Sequence, residues 1–212
     1  MEQPSVLREV RSAAEWRPER PFLSVPAGKG SLDAFWSRCG GELLRAIDVA
    51  TGAKSVFVVS GIPGTVGSGS RALWVELAAL LGSAPDLAIW PFDGTLDAIP
   101  KRIALAEMYP RVCYALALAP ELPAAMMPLA KTSRDVRDRA VDALVASAWV
   151  RDHAVALRDL DLARGDEDHF DAMMSAAAML RCALGPHPLD AATADPIEGG
   201  ILGLPSVQLA AR

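Results

Sequence analysis

The sequence predicts an α/β domain, because short segments with strand composition alternate with longer segments of helical apolar spacing. Residues 55–60 are β-branched and aromatic, and residues 87–90 and 102–107 are apolar runs that also read as strands. The chain has 212 residues, of which 51% are hydrophobic. It is therefore long enough for one domain with a buried core, or for one domain with an appendage.

The N-terminal elements follow from turn residues and apolar spacing. Residues 1–30 are rich in Pro, Arg and Glu, and we expect an irregular segment there with a short helix at 5–16. Ser31 resembles an N-cap, and the spacing that follows predicts a helix over 32–49. Ser70 is placed to cap a further helix over 71–81 that Gly82 would end. The domain itself is predicted to span 31–204, with a tail at 205–212.

The C-terminal half is predicted to be mostly helical. Residues 91–94 read as a turn, and three prolines limit 111–130 to short helical pieces. A long helix is expected from Thr132 or Ser133 to about residue 158, followed by a charged connector at 159–167. The next helix runs over 168–184 and ends at Gly185-Pro186, and a short strand is expected within 199–205.

Composition excludes several classes of protein. No apolar run reaches the ~18 residues expected of a membrane span. The three cysteines, Cys39, Cys113 and Cys182, are scattered, which favours reduced thiols and a cytoplasmic location and disfavours a zinc site. The net charge of −5 argues against a dedicated nucleic-acid binder. It is compatible with a nuclease, since a bound metal offsets the charge of a carboxylate site locally.

The strongest candidate for chemistry is the pair Asp168 and Asp171. Residues three apart are neighbours on a helix surface, and the first turn is the positive end of the helix dipole. Oxygen ligands of this kind suit Mg²⁺ or Mn²⁺, and Glu107, at the end of a predicted strand, is the candidate third ligand. The alternative for the aspartate pair is helix capping, and for Glu107 it is a surface position after a strand.

Two further segments are candidates for contacts with phosphate. The Gly/Ser loop at 61–70, with Gly67, Ser68 and Ser70, lies between a strand and a helix, where free amides attract anions. The alternative is a tight glycine turn with a serine cap. Lys131 and Arg134 precede or begin a long helix and could contact the backbone of a nucleic acid, or form an ordinary solvated helix start.

Seven short motifs also occur in a particular serial order over residues 16–204. They are Ser55-Val56-Phe57, residues 64–70, Ile89-Trp90-Pro91-Phe92-Asp93, Glu107-Met108-Tyr109-Pro110-Arg111, Lys131-Thr132-Ser133-Arg134, Asp168-His169-Phe170-Asp171-Ala172 and Glu198-Gly199-Gly200-Ile201-Leu202. In this order of motifs the chain resembles domain-of-unknown-function family 429, predicted nucleases of the RNase H-like fold.

The resemblance implies a mixed sheet flanked by helices and an acidic Mg²⁺ or Mn²⁺ site. Glu107 would be the middle carboxylate, and Asp168 with Asp171 would be the C-terminal pair. The family pattern begins with a strand that carries a first Asp and leads into a hairpin, and no such strand precedes Trp16. Asp33 and Asp48 are poor substitutes, and Gly200 stands where a tryptophan is expected.

Two functions are therefore expected from the sequence. The first is a metal-dependent nuclease or phosphodiesterase, with the chain start assigned too late. The second is a non-catalytic RNase H-like binding or interaction domain that has lost its first acidic ligand. Loss of the first hairpin would expose a sheet edge, which predicts a homo-oligomer or a bound partner.

Overall fold

The structure is a computed structural model that describes residues 5–12, 14–17, 19–25, 43–60, 66–100, 103–122, 126–185, 189 and 199–204. These residues contain seven α-helices and two parallel two-stranded sheets, so the predicted α/β class is confirmed. The chain divides into two compact units. The first comprises Met1–Ile89 and Asp97–Leu105, and the second comprises Trp90–Leu96 and Ala106–Arg212.

The first unit is built on two short parallel strand pairs. Strand β1 (Leu23–Ser24) pairs with β2 (Val58–Val59), and β3 (Leu87–Ile89) pairs with β4 (Ile103–Leu105). The side chains around the first pair form a buried apolar cluster. Its buried members are Val10, Leu23, Val25, Leu43 and Val58.

Two of the described α-helices belong to the first unit. Helix α1 (Ala46–Thr51) begins with a buried ion pair, in which Asp48 accepts hydrogen bonds from the backbone N–H of Arg45 at 3.0 Å and from its guanidinium at 2.8 Å. Asp48 is therefore the N3 residue of a capping box whose N-cap residue is Arg45. Helix α2 (Gly67–Leu81) ends at Gly82 as predicted.

Helix α2 begins earlier than the sequence predicts. The N-cap position is Val66, and Ser70 lies one turn inside the helix, where its N–H donates to the Val66 carbonyl at 3.0 Å. The prediction of Ser70 as the cap was wrong because Gly67 lets the first turn pack directly on β2. A Cβ at Gly67 would overlap the backbone of Val58. Residues 61–65 of the predicted phosphate loop lie outside the described residues.

The second unit is a helical layer in which α3 (Pro110–Leu118) packs along α7 (Glu167–Leu184). Pro110 occupies the first helical position of α3, where its missing N–H costs nothing. Side chains from two other helices donate hydrogen bonds to carbonyls near the C-terminus of α3. The Arg181 guanidinium donates to the carbonyls of Leu116 at 2.8 Å and Ala119 at 2.6 Å, and the Trp149 indole donates to that of Ala117.

The remaining helices of the second unit correct two predictions. The expected long helix is two helices, α4 (Arg134–Val145) and α5 (Ala148–Asp152), and Ser147 is the N-cap of the second. The expected connector at 159–167 contains helix α6 (Leu160–Gly165). Because α6 packs on α7, tertiary contacts override its unfavourable charged composition.

Several expectations fall on parts of the chain that are not described. They are the cap at Ser31, the residues of helix 32–49 before Leu43, Cys39, Glu198 and the tail at 205–212. Among the described helices, none combines the length and the apolarity that crossing a membrane requires.

Candidate acidic site

Helix α7 begins at Glu167, one residue before its predicted start at Asp168. Asp166 is the N-cap residue, and its carboxylate accepts the backbone N–H groups of Asp168 at 2.9 Å and His169 at 3.0 Å. These hydrogen bonds, first among them the one from His169, hold the pKa of Asp166 below its ordinary value. The capping role expected as the alternative for the aspartate pair thus belongs to Asp166.

Asp168 and Asp171 are neighbours on α7 but differ in burial. At about 100° per residue, they lie roughly 60° apart around the helix, and Asp171 is the nearer of the two to Phe170. Phe170 is fully buried, Asp171 is partly buried at the edge of the packing, and Asp168 is exposed. Of the two neighbouring acids, Asp171 is therefore the one that reaches the packed face.

Asp171 is held by two side chains from other elements. The Tyr114 hydroxyl, from α3, donates to Oδ1, and the Lys131 ammonium donates to Oδ2. The side chains of Lys131 and Asp171 are 32% and 21% exposed, whereas Tyr114 is 2% exposed. Both carboxylate oxygens therefore have a partner from the protein itself.

The environment of Tyr114 explains its direction and its protonation state. Its ring lies against Phe170, with the two ring centroids 5.5 Å apart. Burial, followed by the hydrogen bond to Asp171, raises the pKa of Tyr114 above its ordinary value. The hydroxyl therefore stays protonated and donates a hydrogen bond to the carboxylate. A buried tyrosine needs such a partner, because an unsatisfied hydroxyl is costly.

Glu107 lies just after β4, near the strand end that the sequence predicts. Its backbone pairs with the segment that contains Ile201. Glu107 forms an isolated parallel bridge with Ile201, and its carbonyl accepts the Leu202 N–H at 2.9 Å. Its side chain is exposed. Within the predicted short strand at 199–205, the described residues form isolated bridges rather than a continuous strand, and Gly203 lies in the left-handed region at a φ of 79°.

The three predicted metal ligands do not form a common site. Across the described ranges, no three or more His, Cys, Asp or Glu side chains are grouped so that they could hold a metal ion. Asp171 directs its oxygens to Lys131 and Tyr114, and Asp168 is on the solvent face of α7. Lys131 balances the charge of Asp171, and this pairing disfavours Asp171 as a ligand of the expected Mg²⁺ or Mn²⁺.

The predicted phosphate contacts belong to two different units. Lys131 is committed to Asp171, and Arg134 is 74% exposed in the first turn of α4, with its Nε 3.8 Å from Asp138. In the first unit, the Ser68 hydroxyl hydrogen-bonds to the N–H and carbonyl of Ser60 at 3.1 and 3.0 Å. The serine thus closes the strand-to-helix connection, and Gly67 provides the close approach beneath it.

Two residues of the acidic site were missed in the sequence. Tyr114 lies within an apolar helical run, where a hydroxyl group indicates a buried hydrogen-bond partner. Arg137 falls on the apolar stripe of α4 with Ala140, Val141 and Leu144, and it is 5% exposed. A charge at such a position signals a buried ion with specific partners, and both signals were present in the spacing.

Comparisons with known proteins add no family to these observations. No protein-family model matches the chain, and no curated protein or solved structure is significantly similar to it. The likeness to domain-of-unknown-function family 429 therefore stays a prediction from the motif order.

Proposed function

We propose that this chain is a non-catalytic binding or interaction domain with an RNase H-like scaffold, in which Asp171 is a structural carboxylate. One observation carries the proposal: both oxygens of Asp171 are occupied by protein donors, Tyr114 and Lys131. A charge paired within the protein stabilises a fold, whereas a metal centre needs carboxylates whose charge the fold leaves unbalanced.

Metal titration tests this proposal. Isothermal titration with millimolar Mg²⁺ or Mn²⁺ is expected to give no binding, and purified protein with Mn²⁺ is expected to leave single- and double-stranded nucleic acids intact. Asp171→Asn and Asp168→Asn are the matched variants. If Mn²⁺ binds the natural chain and both variants lose that binding, the acids form a metal centre and the proposal is wrong.

The second candidate is a metal-dependent nuclease or phosphodiesterase that uses Glu107, Asp168 and Asp171 with Mg²⁺ or Mn²⁺. The exposure of these side chains favours it, because Glu107 and Asp168 are exposed and Asp171 is 21% exposed. Metal-dependent cleavage that Asp171→Asn abolishes would establish this candidate in place of the first.

Two partners follow as parts of the same proposal. A nucleic acid would contact the start of α4, where Arg134 extends into solvent. A second copy of the chain would pair with β4, because Ile103 is 52% exposed and two-stranded sheets alone are marginal. Fluorescence anisotropy with a labelled oligonucleotide at two salt concentrations tests the first partner, and sedimentation equilibrium tests the second.

The cytoplasmic location also stays within this proposal. Cys113 and Cys182 are buried free thiols, which is compatible with a reducing compartment. Fractionation of cells that express the tagged protein tests the location.

A further inference from the structure

We infer that Arg137 is a positioning residue that seats the Lys131 ammonium against Asp171. This inference rests on the proposed structural role of Asp171, and it adds the residue that keeps the pair assembled. Arg137 itself does not touch the carboxylate. It acts through the backbone that carries Lys131.

The geometry of Arg137 joins three segments of the second unit. Its Nη1 donates to the Lys131 carbonyl at 2.6 Å, its Nε to the Arg164 carbonyl at 3.0 Å and its Nη2 to the Gly165 carbonyl at 3.2 Å. The first acceptor is the backbone of the lysine that pairs with Asp171. The other two end α6, directly before the Asp166 cap of α7.

A role for Arg137 in filling space alone would not require a charge. A cation that is 5% exposed is costly to bury, and an aliphatic side chain would fill the same position on the α4 stripe. The guanidinium offers what an aliphatic side chain lacks, a rigid planar set of donors with fixed directions. Here those donors fix the Lys131 turn relative to the start of α7, the helix that carries Asp171.

Lys131 needs such a fixed backbone because its own side chain is flexible. Four methylenes separate its ammonium from the main chain, and the side chain is 32% exposed, so solvent competes for the ammonium. Fixing the Lys131 carbonyl confines the ammonium to the neighbourhood of Asp171 Oδ2. Release of that carbonyl is therefore expected to loosen the ion pair without removing either of its charges.

The rate of lysine modification reports on this ion pair. The chain has four lysines, so acetylation of each can be followed separately by mass spectrometry of the natural protein under native conditions. Lys131 is expected to react slowly, and Lys54, which is exposed, serves as an internal reference. A change in overall stability alone would not alter the ratio of the two rates in a folded sample.

Arg137→Gln is expected to raise the rate at Lys131 relative to Lys54 by about two- to five-fold, the factor that corresponds to the coupling of a partly exposed ion pair. Arg139→Gln is the control, because Arg139 is exposed on the same helix. Asp171→Asn should raise the rate equally, and the double variant should show no further increase, since both changes release the same ammonium. If Arg137→Gln does not unfold cooperatively, Arg137→Lys is the second variant, and the same rise is expected.

The outcomes separate this inference from the proposed function. If Asp171→Asn accelerates acetylation of Lys131 and the folded Arg137 variants do not, Arg137 has no positioning role, while the proposed function stands. If Asp171→Asn itself leaves the rate unchanged, the ion pair that supports both proposals is absent. A rise that is equal in the Arg137→Gln and Arg139→Gln proteins also overturns the positioning role.

Discussion

Replacement of Asp171 with Asn is expected to lower the free energy of unfolding, because it weakens two interactions at once. The hydrogen bond from the buried Tyr114 hydroxyl to a charged acceptor is worth about 1.5–3 kcal/mol. The ion pair with Lys131 adds at most about 1 kcal/mol, because both side chains are partly exposed. Asparagine keeps one acceptor oxygen, so we expect a net loss of roughly 1–2 kcal/mol.

Denaturant unfolding of purified protein measures this loss directly. A loss of this size lowers Tm by roughly 2–8 °C in a chain of this length. A double-mutant cycle with Lys131→Met isolates the ion pair and is expected to give a coupling of about 0.2–1 kcal/mol. Asp168→Asn is the matched control on the same helix, and its effect is expected to stay within about 0.5 kcal/mol because Asp168 is exposed.

One result would refute the reasoning. Carboxylates gathered for a metal repel one another when no metal is bound, so neutralising one of them stabilises the fold. If Asp171→Asn and Asp168→Asn both stabilise the metal-free chain, the two acids share an electrostatic environment. Asp171 would then not be a structural partner of Tyr114 and Lys131.

Three further predictions concern local structure and pH. Gly67→Ala is expected to destabilise the chain by more than about 3 kcal/mol, because its Cβ would overlap the Val58 backbone. Gly69→Ala has open space around it and should be neutral or stabilise the chain by up to about 1 kcal/mol. Thermal unfolding compares the two variants, and equal effects would contradict the packing of α2 on β2. Asp166→Ala should lower the midpoint of denaturant unfolding through loss of the α7 cap, and an unchanged midpoint would contradict a cap at Asp166. Burial raises the pKa of Cys113 from 9.0 to about 11, so the thiol favours the fold below pH 9 and that contribution is lost as pH rises toward 11. Unfolding at pH 8, 9, 10 and 11 should show this loss, which Cys113→Ala should reduce; a pH dependence that Cys113→Ala leaves unchanged would contradict it.

Local patterns predicted much of the second unit. Helix α7 was expected over 168–184 and is found over Glu167–Leu184, because its apolar composition and the terminal Gly185 are local signals. Helix α6 was missed because its stability comes from packing on α7 rather than from its own charged sequence. The break after α4 was missed for a related reason, since the Ser147 cap is a weak signal within an otherwise helical pattern.

The acidic site could be predicted only in part, because its contacts join distant parts of the chain. The Tyr114 and Lys131 partners of Asp171 are separated from it by 57 and 40 residues. Spacing within α7 predicts that two acids are neighbours, but it does not tell which of them the packing will turn inward. That choice depends on where Phe170 meets Tyr114, a contact between helices that is absent from the local sequence pattern.

The position of Asp171 at the edge of a packed face bears on both candidate functions. A carboxylate at such an edge is partly desolvated, so it needs a counter-ion, either a protein cation or a bound metal. Lys131 meets this need from within the chain, and Arg137 fixes the backbone from which its side chain extends. A counter-ion that is covalently attached is present as soon as the chain folds, whereas a metal must be acquired from solution. The aspartate that first suggested a metal ligand is therefore best explained as the inner half of an ion pair that joins the Lys131 turn to α7.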